Sequence, residues 1–92
     1  MERAAAEDIA IRALEWIAKN DELMGVFLGS TGTSADDIRT ATSDAGFLGG
    51  VLDFILMDDQ WVQDFCRFAH IDPLRPMQAR AALPGGDQVH WT

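Results

Sequence analysis

One cysteine, no tyrosine and few basic residues are the shortages of this chain, and each closes off a class of protein. With Cys66 alone, no internal disulfide forms, so the chain is not a stapled secreted domain and needs no oxidising compartment. Lys and Arg number 7 against 15 Asp and Glu, a formal charge of -8. Nucleic acid is bound largely by cations that displace its counterions, and anionic lipid attracts basic segments; this surface repels both. A basic protein partner suits it, as does plain solubility. Long apolar runs are scarce too: the longest, residues 47–57, is roughly half of the ~20 residues that cross a bilayer and contains Asp53. The opening stretch MERAAAEDIAIR puts acids where a secretory leader needs an unbroken apolar core, so a cytoplasmic setting is expected.

Strand signals are equally thin, with few β-branched residues and no sustained period-two alternation. What remains is helical. A hydrophobic share of 48% with interspersed charge describes one folded domain, and a chain of this length has a single modest core. The first helix is expected from about Arg3 to Lys19. Asp8, Arg12, Glu15 and Lys19 fall on one narrow stripe, giving Asp8–Arg12 and Glu15–Lys19 pairs worth ~0.3–0.5 kcal/mol each. The other faces, with Ile9, Ala10, Ile11, Ala13, Leu14, Trp16 and Ile17, are apolar. So wide an arc means wrapping by neighbours or sharing with another subunit.

Asn20 or Asp21 caps a second helix, DELMGVFLGST, with Leu23, Met24, Phe27 and Leu28 inward and Gly32 as its left-handed stop. Ser34 opens a short third helix through a capping box with Asp37, anchored by Ile38. Ser43 or Asp44 starts the fourth, Asp58 or Asp59 the fifth. Asp72-Pro73 starts the sixth, with proline at the favoured first position. The expected fold is all-α: a compact bundle of about six short helices, orthogonally packed, with the fourth and fifth at its centre. One domain covers residues 1–86, and residues 87–92 form a flexible tail.

The fourth helix raises the question of function. Phe47, Leu48, Val51, Leu52, Phe54, Ile55 and Leu56 cover more than half its circumference. Gly46, Gly49, Gly50 and Asp53 share the remaining flank. Burying that carboxylate unpaired would cost several kcal/mol, a large part of a small domain's stability, so Asp53 is expected to meet water or to pair with Arg39 or Arg67. Glycine inside a helix costs about 1 kcal/mol relative to alanine, which points to close backbone approach, within the fold or across an interface. Gly25 and Gly29 form a similar smooth strip on the second helix. Gly46, Gly49, Gly50 and Asp53 are therefore the candidate interaction surface, with the broad apolar arc of the first helix as a second.

Candidates for chemistry have plainer explanations. Cys66 and His70 stand four apart on the fifth helix, as a thiolate–imidazole pair requires, but no orienting group or oxyanion site accompanies them. A buried thiol and a histidine favoured by the helix dipole account for both. Cys66, His70 and His90 are too few for a structural zinc site. Asp36-Asp37 and Asp58-Asp59 read as helix-start acids. No EF-hand, Walker or dinucleotide fingerprint occurs. No catalytic, cofactor-binding or metal residue and no cofactor is expected. A helix-turn-helix over residues 20–57 fails because its recognition helix is too apolar and the helix before it opens with Asp36 and Asp37. Trp16 and Trp61 fall on apolar faces and are expected in the core; Trp91 lies in the tail.

At FLGSTG, DDIRTA, GFLGGVLDFIL and ALPGG the sequence resembles a family of small alphaproteobacterial proteins, a domain of unknown function. The likeness extends from roughly the first helix to Gly86. It is carried by Thr31-Gly32, Asp37-Ile38-Arg39, Phe47-Leu48, Val51-Leu52-Asp53-Phe54 and Leu83-Pro84-Gly85. The resemblance implies an all-helical cytoplasmic domain and brings no catalytic residues with it. The expectation is a protein–protein interaction or adaptor module whose partner is another protein, a second copy included, and neither nucleic acid nor membrane. The alternative is an enzyme or metal-binding protein using Cys66 and His70.

Overall fold

The punctuation residues of the sequence terminate helices in the computed structural model, which describes residues 1–84. Six α-helices follow one another: α1 Arg3–Ala18, α2 Asp21–Thr31, α3 Ile38–Ala41, α4 Ala45–Leu56, α5 Asp59–Ala69 and α6 Arg75–Ala82, with a 3₁₀ turn Ala35–Asp37 leading into α3. Among the described residues there is no strand, and the fold is all-α. No described helix is long and apolar enough to cross a membrane. The expected tail, with His90 and Trp91, lies outside the described residues.

Where two caps competed, geometry selects one. Asn20 caps α2, its side chain accepting from the Leu23 N–H at 3.1 Å. Asp44 caps α4 by accepting from the Gly46 N–H, and Asp58 caps α5 by accepting from the Gln60 N–H, each at 2.8 Å. Gly32 ends α2 at φ 73°, the left-handed conformation that glycine adopts without steric penalty. At α3 the expected capping box is not made: the Ser34 hydroxyl donates to the Asp37 carboxylate at 2.8 Å, a bond between side chains, and the Ser34 side chain caps no backbone N–H. The start of α6 departs from expectation. Asp72 accepts from the Leu74 N–H at 2.8 Å and holds a local turn, so the helix begins three residues later than Asp72 and Pro76 is the proline of its first turn. A proline there removes no helical hydrogen bond.

The centre of the molecule is also not where the apolar content of α4 and α5 put it. It is α1, which packs against α2, α4, α5 and α6. Ala6, Ala10, Ala13 and Ile17 are fully buried, and the three alanines give neighbouring helices a flat seam for close approach. The wide apolar arc of α1 is wrapped by the chain's own helices, although Ile11 stays 38% exposed. Of the two expected pairs on its polar stripe, Asp8–Arg12 forms at 3.0 Å, whereas Lys19 stands over the Phe68 ring at 5.7 Å. From α5 only Phe65 and Cys66 are buried.

Phe27 joins α2 to α4. Its fully buried ring meets Phe47 at 5.9 Å and Phe54 at 5.3 Å, both edge-on, the arrangement favoured by the aromatic quadrupole. Trp16 and Trp61 were expected in the core and are only half-buried. Each packs one side on the interior, Trp61 stacked on Phe54 at 4.8 Å and Trp16 tilted against Phe65 at 6.3 Å. Ile38 is likewise half-buried against the core, the anchor for α3, none of whose residues is fully buried.

Candidate functional site

The flank of α4 is built as the helical period requires. Leu48, Val51, Leu52, Phe54 and Ile55 are buried, Phe47 and Leu56 half-buried, and Asp53 faces outward. The three glycines beside it occupy three different environments. Gly46 is exposed, and the position of an added Cβ lies 3.2 Å from the carboxylate of its own cap, Asp44. At Gly50 no described residue outside the helix's own backbone comes within 4 Å of that position. Gly49 is buried beneath α6: an added Cβ would lie 2.7 Å from Nη1 of Arg80 and 3.4 Å from the Pro84 carbonyl oxygen. Among the three, a close approach by another helix of the described fold is thus found at Gly49 alone, and it is made chiefly by the Arg80 side chain rather than by a second backbone. The accessible flank consists of Gly46, Gly50 and Asp53.

Arg80 does the covering. Its Nε donates to the Asp53 carboxylate at 2.6 Å and its Nη1 to the Pro84 carbonyl at 3.0 Å. The arginine side chain is 13% exposed and the aspartate 50%. One guanidinium therefore spans α4, α6 and the turn after it, with a charge-assisted bond at its centre. Neither arginine expected to pair with Asp53 does so. Arg39 is exposed on α3, and Arg67 donates to Asp64 on its own helix at 3.4 Å. Arg80 is 27 residues from its partner, beyond the reach of any local spacing rule. The half-exposed carboxylate is thus held by one arginine in an ion pair between α4 and α6.

Cys66 and His70 are tied together through backbone, not through their side chains. The Cys66 carbonyl accepts from the N–H groups of His70 and, at 3.0 Å, of Ile71, closing the end of α5. His70 is the residue of left-handed conformation that permits this closure, at φ 58° and ψ 47°. The thiol is buried and donates to the Asp72 carbonyl at 3.7 Å. Burial, and secondarily the charge of Asp72, push its pKa upward, away from the thiolate that a nucleophile or a metal ligand requires. Among the described residues no three His, Cys, Asp or Glu side chains converge. Asp37 and Asp58 are engaged at their helix starts, as described above.

A groove of about 310 Å³ between α1, α2 and α5 was not anticipated from the sequence. Trp16, Leu23, Val26 and Trp61 line it together with Asn20, Glu22 and Asp64. The available signal was the position of both tryptophans at the borders of apolar faces, next to acids; which helices flank them is a matter of tertiary packing.

No curated protein and no solved structure matches the chain. A family model does match, over residues 3–86, covering every helix described above. The chain therefore belongs to the family described as "Protein of unknown function (DUF3572)".

Proposed function

We propose that this domain is a protein-interaction module, and that the open flank of α4 around Gly46, Gly50 and Asp53 receives the partner. One observation carries the proposal. Gly50 interrupts a helix at a cost of about 1 kcal/mol, yet among the described residues nothing occupies the space its missing side chain leaves. Gly49 next to it is explained by Arg80; Gly50 has no such explanation inside the fold. A backbone bare of side chains lets a second helix approach closely, and the Asp53–Arg80 pair beside it offers polar atoms at the rim. Met57, one turn beyond Asp53, is 74% exposed and adds a flexible apolar contact. The partner is a protein, a second copy of the chain included. A cytoplasmic, adaptor-like setting accords with the acid-rich composition, and an alphaproteobacterial source with the quoted segments. Repulsion by a charge of -8 disfavours nucleic acid and anionic membrane. An enzyme or metal protein working through Cys66 and His70 has less support, because the thiol is buried and kept protonated.

Gly50→Leu tests this directly, since leucine favours the helix and its Cβ would meet no described heavy atom within 4 Å. With helicity by circular dichroism unchanged, light scattering and pull-down from native lysate are expected to show smaller assemblies and loss of proteins retained by the wild type. Identical assembly and identical retained proteins would refute the role of this flank.

A further inference from the structure

We propose that the groove between α1, α2 and α5 is a docking site for a basic amphipathic protein segment, which lays an Arg or Lys side chain over Trp16 and Trp61. This deepens the interaction-module proposal by naming a partner chemistry, but it uses a different face from the α4 flank. At about 310 Å³ the groove sits at the small end of ligand pockets, a size for one or two large side chains. Its floor is preorganised, because Trp61 is stacked on Phe54 at 4.8 Å and Trp16 leans on Phe65 at 6.3 Å, while both remain partly open to solvent. Indole faces are the strongest aromatic partners for a cation. Val26, 51% exposed, adds an apolar wall.

Charge and backbone both select the occupant. Glu22 and Asp64 are among the residues that line the groove. Asp64 retains 40% exposure while bonded to Gln60 at 2.9 Å and, weakly, to Arg67 at 3.4 Å. Lys19 is turned to the Phe68 ring. A cationic side chain thus enters a field of its opposite sign, within a molecule of net charge -8, whereas an acidic segment is repelled. On α2, Glu22, Gly25, Val26 and Gly29 follow an i, i+3, i+4, i+7 spacing and share one outer stripe. Added Cβ atoms at Gly25 and Gly29 would meet nothing within 4 Å. That stripe lets the backbone of an incoming helix lie close along α2 while its basic side chain reaches the tryptophans.

The test is titration of the full chain with a designed Leu/Arg amphipathic helical peptide, and with the same peptide carrying Glu for every Arg, followed by NMR and tryptophan fluorescence. The Arg peptide is expected to shift the Trp16 and Trp61 indole signals and to bind at least roughly tenfold more tightly than the Glu peptide. Gly25→Leu and Val26→Arg occupy exposed positions of α2. Each is expected to leave helicity intact and to weaken the Arg peptide by about tenfold or more. Equal binding of the two peptides, no binding of either, or shifts scattered over all acidic residues would overturn the proposal. Shifts centred on Gly46, Gly50 and Asp53 and abolished by Gly50→Leu would overturn it too, while supporting the α4 flank.

Discussion

Gly49 and Gly50 are adjacent in sequence and opposite in what surrounds them. At Gly50, as at Gly25 and Gly29, no described residue fills the place of the absent side chain, so the backbone entropy of glycine is an uncompensated cost among the described residues. Alanine at any of these three is expected to stabilise by about 0.5–1 kcal/mol, which raises the thermal midpoint by roughly 2–8 °C. At Gly49 the gain is expected to vanish, because a Cβ there displaces the Arg80 guanidinium from Asp53 and Pro84. Thermal melts of the four single variants check the contrast. A fold that gains from Gly50→Ala while the module loses its partner is the usual opposition of stability and function. Cys66 gives a second prediction. Its folded pKa lies above the unfolded value, so the protonated thiol contributes fully below an unfolded pKa of ~8.5, and stability falls as pH rises past that point. Urea midpoints at neutral and alkaline pH are expected to fall for the wild type and to fall less for Cys66→Ala; alkylation of the thiol is expected to be slow until urea unfolds the chain.

At the scale of the helix, ends matter more than middles. The side chains of Asn20, Asp44 and Asp58 each satisfy one N–H that their helix leaves unpaired. Two left-handed residues, Gly32 and His70, close α2 and α5. The two differ in strain: glycine has no Cβ to clash, while a histidine in this conformation carries a penalty of about 1 kcal/mol or more. His70→Gly is therefore expected to stabilise by about 1 kcal/mol, and denaturant titration measures it. Loss of stability instead would mean that the imidazole contributes more than the end of a helix. The start of α6 follows the same logic. Asp72 spends its carboxylate on a turn before the helix, which leaves Pro76 to open it.

For the molecule as a whole, one ring joins two helices across the core. Phe27 is fully buried between Phe47 and Phe54, so its removal opens a cavity where α2 meets α4. Phe27→Ala is expected to cost about 3–5 kcal/mol, much of the ~5–15 kcal/mol available to a domain. Equilibrium unfolding should show a large fall in midpoint, whereas Met57→Ala, at a position 74% exposed, should leave it nearly unchanged. α1 is the other integrating element. Its small buried residues let four helices pack around it, and this is why an apolar arc that suggested subunit sharing is satisfied internally.

The sequence by itself determined the number of helices, where most of them start to within a residue, and which side of α4 turns inward. These follow from capping side chains, glycine stops and a 3.6-residue period, all acting within a few positions along the chain. Only the tertiary structure decided that Arg80 takes Asp53, that α6 shields Gly49 and leaves Gly50 bare, that α1 occupies the centre, and that two tryptophans from separate helices share a groove. Those outcomes depend on how helical faces mate after several turns, and residues far apart in the chain meet through no local rule.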